Sequence, residues 1–184
     1  MPDLFPFSGL RYQPAALDAD LGAVTAPPYD VIDEEARARL EAADPRNAVR
    51  LILPRDVEPG DRYRRARETF EQWRSEGVLA ADSPHLYIYR MAFSDEVGTA
   101  RRMTGVVGAL ELSPPGAGTV LPHERTMPKA KSDRLDLLRS VRANLDPVWG
   151  LSLASGLSTL FEPVIAAGAP AASNRARASS SMTS

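Results

Sequence analysis

Proline limits what this chain can become more than any other residue. Its sixteen prolines include pairs at 27–28 and 114–115 and single residues at 45, 54, 122, 128, 147 and 163. Each fixes its own φ, lacks an N–H and pushes the preceding residue toward extended backbone, so helices and strands must be short and fit between them. Residues 2–28 are proline-rich and aperiodic, and Pro27-Pro28 deny a helix through Tyr29-Asp30-Val31-Ile32. Asp33 then reads as an N-cap, with Glu34 and Glu35 in a first turn where the helix dipole favours negative charge. That helix should stop near Ala43, before Asp44-Pro45. The run Asn47 to Leu53, closed by Pro54, reads as a short buried strand.

Farther on, Asp61 can cap a helix whose Tyr63, Ala66, Phe70 and Trp73 recur on one face, with Gly77 suited to the left-handed position after its last turn. This aromatic stripe is core packing rather than a ligand-stacking surface. Residues 85–93 alternate, placing Tyr87, Tyr89, Met91 and Phe93 on one side. Residues 101–112 form a second strand, and the turn-rich link between them makes an antiparallel hairpin. Leu135, Leu138, Val141 and Leu145 outline another amphipathic helix, started at Ser132 or Asp133. Val148 to Leu153 follows as a strand, and Gly156 to Phe161 as a last helix ended by Pro163. The expected fold class is mixed α+β, an α/β arrangement of a small mixed sheet with flanking helices. Residues 1–163 form one N-terminal domain, and 164–184 a disordered tail whose alanine- and serine-rich composition cannot offset its ordering entropy.

Composition excludes several functions. There is no cysteine, so disulfides, thiolate metal sites and cysteine nucleophiles are ruled out. A net charge of −2 argues against a general nucleic-acid binder. No apolar run approaches the roughly 20 residues that span a bilayer, and the first residues lack the n- and h-regions of a secretory signal. A cytoplasmic location is the expectation. Charge is uneven, however. Residues 1–60 hold eleven acids against six bases, whereas residues 123–142 hold six bases against three acids. An anion would meet the second stretch first.

That stretch begins with a polar segment, His123-Glu124-Arg125-Thr126, followed by Lys129, Lys131, Ser132, Asp133 and Arg134. It lies between a strand and a helix, where functional residues concentrate. A helix start capped by Ser132 or Asp133 offers free N–H groups, and with Lys129, Lys131 and Arg134 it would suit a phosphate. Glu124 or His123 could act as a general base toward a hydroxyl. The bland reading, a solvated connection, stands beside this one. No metal motif is present, and neither a P-loop nor a dinucleotide-binding glycine pattern occurs. His85 reads as structural, Asp30 as a turn former or a site residue, and Asn144 as a cap, a turn or a ligand contact.

Taken together, Ala26-Pro27-Pro28-Tyr29-Asp30-Val31-Ile32, His123-Glu124-Arg125-Thr126 with Lys131 and Arg134, and Asn144 to Trp149 resemble an uncharacterised bacterial family catalogued as domain of unknown function 1015. The resemblance runs from about Phe5 to Pro163. It implies a distant similarity to ParB/sulfiredoxin-like proteins, which include nucleotide-binding partition proteins and free-serine kinases. Members also carry an Ala-Asp-Gly-His-His-Arg-Tyr-like segment that this sequence does not contain.

Two functions follow as expectations. The first is a fragment of a kinase-like, nucleotide-handling protein that transfers phosphate to a small hydroxyl substrate, with a nucleotide and Mg as the cofactor such chemistry uses. In it Lys129, Lys131 and Arg134 hold phosphate, Arg125 orients substrate with Thr126, Tyr29, Asp30 and Asn144 lining the site, and Glu124 or His123 is the base. The second is a non-enzymatic module in which the same loop contacts a nucleotide or protein partner. Because the resemblance fades where the tail composition begins, the chain is expected to be an incomplete N-terminal portion, inactive by itself.

Overall fold

The computed structural model describes residues 2–17, 21–114, 116–117, 120–121 and 128–168. Two compact units divide them. One draws on 1–10, 81–125 and 147–170, the other on 11–80, 126–146 and 171–184. The elements are β1 (Leu4–Phe5), β2 (Leu10–Tyr12), α1 (Leu21–Val24), α2 (Glu34–Ala43), α3 (Val49–Ile52), α4 (Arg62–Ser75), β3 (Leu79–Ala81), β4 (Tyr87–Ser94), β5 (Ala100–Val107), β6 (Ala109–Leu110), α5 (Pro128–Val141) and α6 (Leu157–Ala167). The fold is mixed α+β. Among the described residues its strands form three two-stranded ladders, β1–β6, β2–β3 and β4–β5, rather than one mixed sheet.

The second unit is helical and holds the core. Asp33 caps α2 by accepting the Ala36 N–H at 2.7 Å. Glu35 and Arg39 pair one turn apart on its outer face. The segment expected as a strand from Asn47 is instead a helix, α3. An apolar run this short does not distinguish the two states by period, and the side chain of Asn47 decides it. Its Oδ1 accepts the Val49 N–H at 2.9 Å, while Nδ2 donates to the carbonyls of Ala23 at 2.7 Å and Thr25 at 3.0 Å. One turn of helix then buries Val49, Leu51 and Ile52 together.

In α4 the periodic face is read correctly at Ala66, Phe70 and Trp73, which are buried. Asp61 precedes the helix but does not cap it. Its carboxylate turns back to Val57 N–H, and Asp56 accepts the Arg62 N–H at 2.9 Å instead. Gly77 takes φ +73° after the last turn. Tyr12 lies 6.0 Å from Trp73, ring to ring, and donates to the Arg46 carbonyl at 2.8 Å. Burial, with Asp44 nearby, pushes its phenol well above the ordinary range. Among the described side chains of α5 the buried ones are Leu137 and Val141; Val141 is buried as expected, but Leu137 takes the place of Leu135 and Leu138, which are exposed. The helix begins at Pro128 rather than after Ser132 or Asp133, because proline fits the first turn, where no N–H is needed.

The first unit is built on the β4–β5 hairpin, which runs antiparallel from Tyr87↔Val107 to Ser94↔Ala100. Asp95 closes its turn by accepting the N–H groups of Val97 and Thr99 and pairing with Arg101 at 2.8 Å. The strand expected over 101–112 breaks at Gly108. A Cβ there would meet Leu86 and Leu4 side chains at 2.7 and 2.8 Å. After it β6 pairs antiparallel with β1, Leu4↔Leu110 and Phe5↔Ala109. Two further expectations are corrected. Residues 147–154 lie in no strand, because no neighbouring strand supplies hydrogen bonds to them. Helix α6 also runs through Pro163 to Ala167, into the segment expected as tail, since one missing N–H does not end an otherwise apolar helix. All eleven buried apolar residues belong to the helical unit; the first unit has none among its described residues.

Candidate functional site

Three of the polar segments singled out in the sequence meet in the helical unit, and Arg134 joins them. Pro27-Pro28 hand the chain into a single 3-10 turn, Tyr29–Val31. The guanidinium of Arg134, in the second turn of α5, stacks over the Tyr29 ring with Cζ 4.0 Å from its centroid. Its Nη1 donates to the Ile52 carbonyl at the end of α3, at 2.7 Å, and to Asp146 Oδ2 at 3.2 Å. Nε and Nη2 both reach Asp133 Oδ2, at 3.0 and 2.6 Å.

Asp133 extends the network toward α4. Its Oδ1 accepts the Tyr63 hydroxyl at 2.7 Å and Arg62 Nη2 at 3.2 Å, and the Arg62 guanidinium lies 4.7 Å over the Tyr63 ring. Ser140 donates to the Tyr63 carbonyl at 2.8 Å, so α4 and α5 are joined at two levels. Partial burial works against an ionised Asp133, but the hydrogen bonds from Arg134 and Tyr63, with the charges of Arg134 and Arg62, outweigh it and hold its carboxyl below the usual range. Burial, and then donation to Asp133, raise the Tyr63 phenol.

The sign of the resulting pH dependence follows directly. A carboxyl with a lowered folded pKa stabilises fully above its unfolded value, about 3.9, and the contribution is lost as pH falls through the folded value. Denaturant unfolding followed from about pH 5 to about pH 2 should therefore show an acid-side loss that Asp133→Asn diminishes. An unchanged acid slope in that variant would assign the loss to other carboxylates.

Arg134 thus has its donors engaged within the chain, where it clasps Tyr29, Ile52, Asp133 and Asp146. Around it lie groups that are free. Asp30 adjoins Tyr29, Lys131 sits one turn before Arg134 on α5, and Asn144 is two residues from Asp146. All three side chains are exposed and have no hydrogen-bond or ion-pair partner among the described residues. Lys129 lies in the first turn of α5, but its side chain falls outside the described residues. So do His123, Glu124, Arg125 and Thr126 in their entirety. Asp133 does not cap the helix; it binds Arg62, Tyr63 and Arg134 in the second turn. His85 bonds the Ser83 carbonyl through Nδ1 at 2.5 Å and pairs with Phe7, a structural role.

Arg62 and Tyr63 escape sequence reasoning as members of this network, because Tyr63 falls in a stripe that reads as core and Arg62 lies outside it. Sequence reasoning also misses an open groove of about 540 Å³ in the same unit, lined by Asp44, Arg46, Arg50, Trp73 and Glu76 among others. Arg46 and Arg50 there donate to the carbonyls of Ala16 and Glu41, and two carboxylates share the rim, so its charge is mixed. No group of three metal-ligating side chains occurs among the described residues. No helix among them is long and apolar enough to cross a membrane.

The molecule is therefore an α+β protein in which a proline-fixed Tyr-Asp turn and a lysine-bearing helix start are held together by one arginine. It belongs to the family described as Protein of unknown function (DUF1015), whose family model matches residues 4–179. No curated protein and no solved structure matches the chain.

Proposed function

We propose that this protein recognises a phosphate-bearing small molecule at the start of α5. The observation that carries the reading is the placement of lysine. The chain has twenty arginines and two lysines, and both lysines, Lys129 and Lys131, fall at the N-terminal end of α5. The helix dipole disfavours cations there and favours an anion, and no acidic residue occupies that first turn. By contrast α2 carries Glu34 and Glu35 at the same place. The Arg134 clasp fixes the helix against Tyr29, Ile52 and Asp146, so Lys131 is presented on a rigid element with Asp30 and Asn144 on the segments clasped beside it.

In the enzymatic form of this reading a nucleotide with Mg donates phosphate to a small hydroxyl, with Glu124 or His123 as base and Arg125 and Thr126 orienting substrate. Resemblance to the ParB/sulfiredoxin-like proteins supports that form. A binding module without turnover is the alternative. Calorimetric titration with inorganic phosphate, pyrophosphate, ADP and ATP tests recognition. Lys131→Ala should weaken binding about 10-fold or more, the loss of one charge-assisted contact worth about 1.5–3 kcal/mol, with unfolding unchanged. Absence of binding to every one of these ligands would reject the phosphate reading. Binding with no phosphate transfer to serine or another small alcohol would leave the module.

A further inference from the structure

We propose that residues 148–153 are a β-strand that completes the β4–β5 hairpin of a second copy of this chain, so that the protein is a strand-exchanged homodimer. The hairpin and the segment belong to the same unit, and each lacks what the other has. A two-stranded hairpin is marginal in water by itself, and a third strand or a packed helix is needed to stabilise it. Here β4 and β5 pair only with each other among the described residues. One face carries Tyr87, Tyr89, Met91 and Phe93 with Met103, Val107 and, at its end, Arg101, and Tyr89 and Phe93 are exposed; the other carries Ile88, Arg90 and Ala92 with Arg102, Thr104 and Val106. No apolar residue of this unit is fully buried among those described.

Val148 to Leu153 has the complementary pattern. Trp149, Leu151 and Leu153 alternate with Val148, Gly150 and Ser152, so an added strand would extend the Tyr89–Phe93 face of the hairpin with large apolar side chains and its other face with smaller ones. These residues are held out in solvent: Trp149 is 64% exposed, Leu151 84% and Leu153 103%. The segment forms no strand or bridge.

The fold of a single chain therefore leaves strand and edge apart, although both are present in one unit, and this points to a second copy as the source of the missing partner. Reciprocal exchange gives each hairpin one strand and closes at two copies, because each chain's 148–153 segment is then used once. Charge permits it, because Glu162 is the sole charged residue from Pro147 to Gly168, so the added strand brings no cation against Arg90, Arg101 and Arg102 of the hairpin. Area permits it as well. Each aromatic side chain brings about 150–250 Å². Trp149, Tyr89 and Phe93 are 64%, 47% and 43% exposed, so together they offer about 230–390 Å², and Leu151 and Leu153 add to this toward the roughly 500 Å² per partner that a specific interface must clear.

Sedimentation equilibrium of the full chain over a range of concentrations tests this, read together with cysteine cross-linking, for which the natural absence of cysteine is convenient. The expected result is a monomer–dimer equilibrium at twice the monomer mass, with Leu151→Asp weakening association at least about 10-fold while circular dichroism is unchanged. Chains carrying Leu151→Cys, mixed with chains carrying single cysteines scanned along β4 and β5, should form disulfide-linked pairs between chains at alternate positions. A monomer at every concentration, an open-ended ladder of larger species, a dimer indifferent to Leu151→Asp, or cross-linking only within doubly substituted single chains would each overturn the proposal.

Discussion

Replacing Asn47 with alanine should cost about 3–5 kcal/mol and move the urea midpoint of unfolding down with no change in slope. Asn47 is completely buried. Its amide donates to two carbonyls, Ala23 and Thr25, and accepts the Val49 N–H. Alanine strands three main-chain groups at once, each at about 1–3 kcal/mol less whatever relaxation recovers, and leaves a small void. Asn47→Asp is the sharper control. It keeps the acceptor toward Val49 and the shape, but loses both donors and buries a charge beside two carbonyl oxygens, so it should be at least as damaging as alanine. Circular dichroism and urea titration of the three proteins decide the matter. If both variants unfold like the parent, the bonds to Ala23 and Thr25 contribute nothing and α3 has another cause.

Asn47 also shows where the sequence is legible and where it is not. Helix α2 is readable because its signals are local, a capping Asp33 followed by two glutamates. Helix α4 is readable because Ala66, Phe70 and Trp73 share one face over two turns, and the hairpin because period-two alternation brackets a turn held by Asp95. The region from Asn47 to Leu53 is not readable. Five apolar residues interrupted by Arg50 fit a strand or a turn of helix equally, and the choice rests on carbonyls more than twenty residues away in sequence. Segment 148–153 fails for the opposite reason. Its pattern is that of a strand, but a strand needs a neighbour, and pattern carries no information about whether one is present.

The candidate site divides along the same line. Tyr29, Asp30, Lys131, Arg134 and Asn144 were all legible as polar residues on proline-fixed or loop-adjacent backbone. What sequence could not convey is that Arg134 faces inward. Its partners at 29, 52 and 146 are distant in the chain, and the same basic residue one turn earlier, Lys131, faces water. A Lys-x-x-Arg spacing places both on neighbouring turns without saying which one a ligand would meet.

The Arg134 clasp therefore yields a result opposite to that of an open ligand-binding arginine. Arg134→Ala should destabilise the helical unit by about 2–3 kcal/mol, below the roughly 3–5 kcal/mol of a fully buried pair because Arg134, Asp133 and Asp146 each retain some exposure. The loss has identifiable parts: the stack on Tyr29, the bond to the Ile52 carbonyl, and the neutralisation of two carboxylates that then lie close together without their cation. Arg134→Lys separates charge from shape. An ammonium can reach one carboxylate, but it cannot fork to Asp133 while donating to Ile52 and Asp146, so roughly half the loss should remain. Asp133→Asn combined with Arg134→Ala should be less damaging than the two single effects added, because the orphaned carboxylate is gone. Denaturant unfolding of the two single variants and the double one, read beside phosphate titration of Lys131→Ala, distinguishes a clasp from a ligand contact. A clasp moves stability first, and affinity only as the start of α5 loosens. An Arg134→Ala protein as stable as the parent but unable to bind phosphate would assign the arginine to the ligand and refute the clasp.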